Sequence, residues 1–261
     1  MQILHPEFDL ESFYRKLRRA PRRLLMLDYD GTLAPFRAQR DQAIPYPGVR
    51  EALDDLLALD RDRVVIISGR AVADVLPLLG LRHSVELWGS HGIERRRPKG
   101  GVYTAAMDPA ALRGLAEADS WVASAGLEPH AESKPGCLAI HWRGLSPADA
   151  RALRTRVREH WLQLAEKYGL DLRDFDGGLE LRVPWRSKAD AVRVLLNEEG
   201  DTAPAAYLGD DHTDEDAFAA LEGRGLRILV RPELRPTAAD VWLKPPQELL
   251  DFLHRWREGV P

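Results

Sequence analysis

The chain has 261 residues, 44% hydrophobic and 30% charged, an ordinary balance that excludes disorder and a membrane-embedded class. Its net charge of −4, from 37 basic and 41 acidic residues, argues against nucleic acid as the main partner. No apolar run approaches the roughly 20 residues that a membrane span needs.

The first 20 residues carry charges throughout and lack an apolar signal-type core. The single Cys137 rules out an internal disulfide framework and fits a reducing cytoplasm. It sits in an apolar run, where a thiol packs rather than reacts. Residues 1–22 read as an amphipathic helical lead-in. Leu24 to Leu27 form a short apolar run before a glycine turn, which predicts a buried strand. At its end stand Asp28, Tyr29, Asp30, Gly31 and Thr32. Residues two apart on an extended segment share a side, so Asp28 and Asp30 are expected to face one pocket unless the chain turns first. Two carboxylates at one spot repel, and a hard divalent cation such as Mg2+ would relieve them. Asp-Gly-Thr is equally good turn chemistry by itself.

Pro47-Gly48 precedes a helix whose Val49, Leu53, Leu56 and Leu57 fall at helical spacing. Arg63 to Ile67 is a β-branched strand ending in Ser68-Gly69-Arg70, where a helix start could hold a phosphate or Ser68 could serve as an ordinary cap. A helix over 71–79 and a strand over 85–88 follow, then Gly89-Ser90-His91-Gly92. This strand–helix rhythm predicts a parallel sheet with helices on both faces. Arg95-Arg96-Arg97-Pro98-Lys99, flanked by Pro and Gly, reads as a solvated hairpin tip.

The rhythm then changes. Asp108-Pro109 and Ser146-Pro147 each pair an N-cap residue with proline at the first helical position. Leu153, Val157, Trp161 and Leu164 mark the buried stripe of the second helix. Residues 137–143 read as a strand, and 171–175 and 179–183 as a hairpin around Asp176-Gly177-Gly178. A compact α+β unit is therefore expected over 106–183, inserted in an α/β core of 1–105 and 184–261, with hinges near Gly100 and Pro184. Glu132 and Lys134 share one side of an extended segment, as do His141 and Arg143, which suits either a polyhydroxylated ligand or a solvated strand face.

Past the insertion, a helix over 187–197 places Lys188 at its start, where the helix dipole disfavours a cation and a bound phosphate would compensate. The strand 205–210 runs into Asp210, Asp211, His212, Thr213, Asp214, Glu215 and Asp216. Thr213 with Asp216 suggests a cap, while Asp210 at the strand end is the natural metal ligand. Strands over 226–230 and 241–243 and a helix over 247–257 close the chain.

In chain order, Asp28-x-Asp30-Gly31-Thr32, Ser68, Lys188 and Gly209-Asp210-Asp211-x-Thr213-Asp214-Glu215 resemble the four motifs of the haloacid-dehalogenase-like (HAD) hydrolases. The resemblance implies a HAD-like Rossmannoid α/β core with an inserted α+β cap. It implies that Asp28 is a nucleophile forming a phospho-aspartate and that Asp30 is the acid and base. Mg2+ would be held by Asp28, the Asp30 carbonyl and Asp210, with Asp211 and Asp214 holding its waters or orienting the ligands. Ser68 and Lys188 would bind phosphoryl oxygens, and Gly31, Thr32, Gly69 and Arg70 would line the substrate.

Glu132-x-Lys134, His141-x-Arg143 and Gly178-Leu179-Glu180, with Ser68-Gly69-Arg70 and Gly89-x-His91-Gly92, are similar to segments of the trehalose-6-phosphate phosphatase family. The likeness spans residues 24–216. It implies a phosphatase that yields trehalose and inorganic phosphate, with Glu132, Lys134, Arg143 and Glu180 on the sugar hydroxyls and His141 either there or packed. Ala189 stands where that family commonly has glycine. Other sugar phosphates remain open as substrates, among them sucrose 6-phosphate and mannosyl- or glucosyl-3-phosphoglycerate, as does a non-catalytic phosphosugar-binding role. The insertion is expected to close over substrate and exclude water. Oligomeric state is open, a monomer being compatible.

Overall fold

The protein is described here by a computed structural model covering all residues except 38, 176, 185, 186 and 261, together with the side chain at 40. The expected turn residue Asp176 therefore lies outside the described residues. Contacts divide the chain into two compact units, Met1–Tyr103 with Ser187–Pro261, and Thr104–Arg186.

The first unit opens with β1 (Gln2–Ile3) and α1 (Leu10–Arg19), then β2 (Arg23–Leu27), α2 (Val49–Leu57), β3 (Asp62–Ile67), α3 (Val72–Leu79), β4 (Glu86–Gly89), β5 (Glu94–Arg96) and β6 (Val102–Thr104). The second contains α4 (Pro109–Ser124), β7 (Ala131–Lys134), β8 (Cys137–His141), α5 (Pro147–Tyr168), β9 (Asp171–Phe175) and β10 (Gly178–Arg182). The first then resumes with α6 (Lys188–Glu199), β11 (Ala205–Gly209), α7 (Glu215–Leu221), β12 (Gly225–Val230), β13 (Val241–Leu243) and α8 (Gln247–Glu258).

The core sheet runs β1-β13-β12-β11-β2-β3-β4-β5-β6. The six strands from β13 to β4 are parallel, and β1 and β5 are antiparallel to their neighbours. Alternation along β2 sends Leu25 and Leu27 into one apolar layer with α1, α2, α3 and α8, and Leu24 and Met26 into the other with α6 and α7. Each such side chain taken fully from water contributes about 1.5–3 kcal/mol. Both faces are thus covered, which is why these strands read as continuous apolar runs.

Two expectations need correction. The lead-in is not one helix: Asp9 accepts from the Ser12 N–H at 2.8 Å and starts α1 late, while Gln2–Ile3 pairs with Val241–Trp242 as an edge strand. Nor is the arginine run wholly solvated. Arg95 lies over the Trp88 ring at 4.7 Å and pairs with Glu86 and Glu198, each at 2.7 Å, where Arg63 also bonds both carboxylates. Opposite charges from β3, β4, β5 and α6 made the tip a structural tie.

In the second unit the sheet order is β7-β8-β10-β9, all antiparallel. Helices α4 and α5 pack against it, with Leu153, Val157, Trp161 and Leu164 buried as the spacing implied. Asp108 and Ser146 are the N-caps expected. Among the described residues no helix is long and apolar enough to cross a membrane.

Candidate active site

The loops that follow β2, β3, β4 and β11 leave the sheet at the carboxyl edge of its parallel strands, where α/β proteins place their ligands. Asp28 is the first residue past β2. Its N–H donates to the Leu208 carbonyl at 2.8 Å, which ties it to β11. Its carboxylate is buried: Oδ1 accepts from Lys188 Nζ at 2.6 Å and Oδ2 from Thr32 Oγ1 at 3.0 Å.

Lys188, at the first turn of α6, also donates to Asp214 Oδ1 at 2.7 Å. The cation at this helix start is compensated by two carboxylates, where sequence reasoning looked to a phosphate. Asp214 Oδ1 accepts further from the Tyr207 hydroxyl at 2.6 Å, and Oδ2 from the Asp210 and Asp211 N–H groups at 3.0 Å each. Four donors occupy this carboxylate and tie the loop after β11 to α6 and β11. Asp211 caps a short 3-10 turn over His212–Asp214, its Oδ1 accepting from His212 N–H at 2.8 Å. The capping pair is therefore Asp211 with Asp214, not Thr213 with Asp216, because the turn begins before the helix does.

Asp210 differs from both. Its carboxylate is buried and lies within 4.8 Å of ligand oxygens of Asp28 and Asp214, yet it accepts no hydrogen bond from the described residues. Gly31 makes this approach possible: at φ +86° it adopts a left-handed turn, and a Cβ there would stand 2.1 Å from Asp210 Oδ2. Three buried carboxyl groups meet one ammonium, so with all three ionised two negative charges would lack a counter-charge. Burial pushes the Asp28 carboxyl up to about 7, opposed by Lys188 and reinforced by Asp214 and Asp30. Burial, then Asp28 and Asp214, drive Asp210 well above the usual carboxylate range. Burial disfavours the Lys188 ammonium, but Asp214 and Asp28 outweigh it and hold the proton on. The donor set is all hard oxygen, and it fits a small divalent cation.

Asp30 does not join this cluster. The chain has left the strand at Leu27, and the Arg70 guanidinium forks onto Asp30, Nε to Oδ2 at 2.6 Å and Nη2 to Oδ1 at 2.5 Å. Ser68 is buried, and its Oγ accepts from the Arg70 N–H at 3.1 Å. It does not begin a helix, since α3 starts at Val72 after a turn through Gly69 and Arg70. Gly69 packs on His91, where a Cβ would lie 2.6 Å from the ring. Ser90 and His91 are consecutive non-glycine residues at φ 50° and 54°. Such conformations cost about 1–3 kcal/mol each and persist only where the surroundings over-determine them. Here Ser90 N–H donates to the Arg70 carbonyl at 2.7 Å, His91 N–H to the Ser68 carbonyl at 3.1 Å, and Ser90 Oγ to buried Glu94 at 2.8 Å.

In the second unit, Glu132 and Lys134 on β7, His141 on β8 and Glu180 on β10 occupy one face of the sheet. Lys134 Nζ contacts Glu180 at 3.2 Å and Glu132 at 3.7 Å, and His141 Nε2 contacts Glu132 at 2.8 Å. Arg143 does not share an extended face with His141, because β8 ends at His141; its side chain instead lies under Gly177. His141 also packs edge-on against Phe175, ring centres 5.2 Å apart. Two residues escaped sequence reasoning. Arg182 extends the polar face, 3.8 Å from Glu180, and the two-residue alternation from Glu180 was the available signal. Tyr207 gave only a polar tip within an apolar strand.

The trehalose-phosphatase profile matches residues 26–241. A trehalose-phosphate phosphatase of Mycobacterium marinum is 34% identical over 90% of this chain, which spans 61% of that protein. A probable trehalose-phosphate phosphatase C of Arabidopsis thaliana is 31% identical over 97% of the chain and 82% of its own length. The solved C-terminal domain of the Candida albicans trehalose-6-phosphate phosphatase superposes with a TM-score of 0.80 over the whole of both chains, at 22% identity, a likeness of fold. The architecture is that of HAD-like hydrolases. With its strand-end aspartates, its lysine at α6 and this match over most of its length, the chain belongs to the trehalose-phosphatase family.

Proposed function

We propose that this chain hydrolyses trehalose 6-phosphate to trehalose and inorganic phosphate, with the chemistry in the first unit and the choice of sugar in residues 106–183. The observation that carries the chemistry is the excess of buried negative charge at Asp28, Asp210 and Asp214 over the single Lys188. The names of the relatives support the substrate.

The Asp28 and Asp210 carboxylates and the Asp30 carbonyl are the groups that would hold Mg2+. Bound there, the ion supplies charge neutralisation for the transferring phosphoryl group. An Asp28 oxygen attacks phosphorus, and the bond from phosphorus to the sugar oxygen breaks. That oxygen takes a proton from Asp30 and leaves as the hydroxyl, with the phosphoryl group on Asp28. A water that gives its proton to Asp30 then attacks phosphorus, releasing phosphate and restoring Asp28. Ser68 Oγ accepts from Arg70 and has its own proton to give to a phosphoryl oxygen. Lys188 holds Asp28 in line and screens the incoming charge. Arg70 holds both Asp30 oxygens here, so the proton steps require Asp30 to leave that fork and to enter the first step protonated.

Glu132, Lys134, His141, Arg143, Glu180 and Arg182 supply the charged donors and acceptors that suit a sugar with many hydroxyls. A phosphate-release assay on a panel of sugar phosphates tests the reading. Trehalose 6-phosphate is expected to give the highest kcat/KM. Faster hydrolysis of sucrose 6-phosphate, glucose 6-phosphate or a glycosyl phosphoglycerate would overturn the substrate. Metal-independent binding without turnover would overturn the enzyme.

A further inference from the structure

We propose that Arg235 is a positioning residue for Asp210, clamping the main chain that aims its carboxylate. The proposal rests on the reading of Asp210 as a cation-holding group. Asp210 and Asp211 lie between the end of β11 and the 3-10 turn; the Asp211 carbonyl accepts the turn's first bond, from the Asp214 N–H at 3.0 Å, while the Asp210 carbonyl has no ladder or turn partner. Their N–H groups are held by Asp214. Their carbonyls are held from the loop that follows β12: Arg235 Nε donates to the Asp210 carbonyl at 3.2 Å and Nη2 to the Asp211 carbonyl at 2.7 Å. Arg231 Nη1 adds a second bond to the Asp210 carbonyl at 3.2 Å. The peptide plane between Asp210 and Asp211 is thereby gripped at both ends, through the Asp211 N–H and the Asp210 carbonyl, and the planes before and after it are held at the Asp210 N–H and the Asp211 carbonyl.

A guanidinium beside a cation site would repel the cation, and the structure answers this. Arg235 Nη1 is paired with Glu215, whose other oxygen accepts from the Ala238 N–H at 2.9 Å. Its charge is thus balanced away from the Asp210 carboxylate, and only its planar geometry is left to act on the loop. The Arg235 side chain is 10% exposed, so little water competes for these bonds. The fork is the point: it reaches two carbonyls and a carboxylate at once, which the single ammonium of lysine cannot do in one plane.

The test uses the full chain and Mg2+ alone as probe. Mg2+ affinity is measured by calorimetry, and backbone hydrogen exchange of 205–216 is measured without metal, for the parent, D210N, R235Q, R235K and E215Q. The expected result is that R235Q raises the Mg2+ Kd about ten-fold or more, the range typical of groups that orient metal ligands. It also speeds exchange at Asp210 to Asp214, keeps the KM for substrate at saturating Mg2+, and is only partly rescued by R235K. If R235Q misfolds, E215Q, which loosens the same clamp, is expected to show a smaller shift of the same sign. Parent-like Kd and exchange in folded R235Q or E215Q overturn the proposal. A parent that does not bind Mg2+, or a D210N that binds as the parent does, overturns the metal reading on which it stands.

Discussion

Two polar clusters, one in each unit, are built in opposite ways. In the core, Asp28, Lys188, Asp210 and Asp214 come from three separate loops or helix starts, and the two Lys188 ion pairs are 2.6 and 2.7 Å long between side chains 0–4% exposed. Asp28 is held by a main-chain bond to the neighbouring strand β11, and the Asp210 main chain by the side chains of Asp214, Arg231 and Arg235. In the second unit, Glu132, Lys134, Glu180 and Arg182 ride alternate positions of one sheet face, and their mutual contacts are 3.2–3.8 Å. In the first arrangement loss of Lys188 leaves two buried carboxylates without a counter-charge. The second changes one side chain at a time while the ladder stays intact. Chemistry that must strike phosphorus in line needs the first, and recognition of a particular sugar can be tuned on the second.

The harshest way to break this comparison is Asp28→Asn. Loss of the nucleophile is expected to lower kcat by about four orders of magnitude or more, with phosphate release as the readout. Thermal unfolding should show a folded protein, since the amide oxygen still accepts from Lys188 and the amide NH2 can donate to a reoriented Thr32 hydroxyl. Lys188→Met should be equally inactive and less stable by about 3–5 kcal/mol, because Asp28 and Asp214 then face each other without a counter-charge. Substantial turnover in Asp28→Asn would remove the nucleophile from the mechanism.

The second cluster should respond differently. Glu180→Gln removes the negative charge and one of the two acceptor oxygens facing Lys134 and Arg182 while leaving β10 paired on both sides. The expected loss in kcat/KM for trehalose 6-phosphate is about 10–100-fold, as for a charged hydrogen bond to substrate. Hydrolysis of a small aryl phosphate, which has no sugar to read, should fall less than three-fold, by the same arithmetic. Equal losses on both substrates would mean that the two clusters are not divided as proposed.

Much of the first cluster was legible because each member sits where an apolar strand stops or a helix starts, and that punctuation survives in one dimension. Asp28, Lys188 and Asp210 were singled out this way, as was Ser68 outside the cluster, and helical spacing gave the buried stripe from Leu153 to Leu164. Partners were not legible. That Arg70 forks onto Asp30, that Tyr207 caps Asp214 and that Arg95 joins Glu86 and Glu198 all depend on which strands become neighbours. The strained pair Ser90 and His91 carries no sequence signal of its own, since neither is glycine or asparagine. Arg143 was misplaced because strand propensity does not announce where the ladder ends.

The electrostatics of the first cluster also predicts how it meets a cation. Without metal, burial raises the Asp28 carboxyl to about 7, with Asp214 and Asp30 adding to the shift and Lys188 opposing it. A cation requires the ionised form, so binding must release a proton below that pH. Mg2+ affinity should therefore fall about ten-fold or more from pH 8 to pH 6, since Asp210, also raised by burial, must be ionised as well. Calorimetry in buffers of different ionisation enthalpy should show proton release growing over the same range. Affinity that is flat across it would mean that Asp28 is already ionised in the metal-free protein.

The smallest expected effect on turnover comes from a carboxylate that resembles the first cluster in burial but has no cation to hold. Asp54 is buried on α2 and accepts from the N–H groups of Arg82 and His83 at 3.0 and 2.9 Å and from Arg82 Nε at 3.1 Å. Burial works against its charge, but the main-chain donors of His83 and Arg82 win and hold the carboxyl down to about 2. With the folded value below the unfolded one, the stabilisation is fully present above about pH 4 and is lost as pH falls toward 2. Asp54→Asn is expected to cost about 1–2 kcal/mol at pH 7, discounted because Arg82 itself is exposed to water. The difference in urea unfolding between the two proteins should hold constant from pH 8 to 5 and shrink below about pH 4. kcat should not move, since every Asp54 partner lies in the turn after α3, away from the strand ends that carry the aspartates. A fall in kcat of ten-fold or more in a folded Asp54→Asn protein would show that buried charge anywhere in the core sets the catalytic geometry, and the contrast between anchored and adaptable clusters would have to be redrawn around the whole sheet.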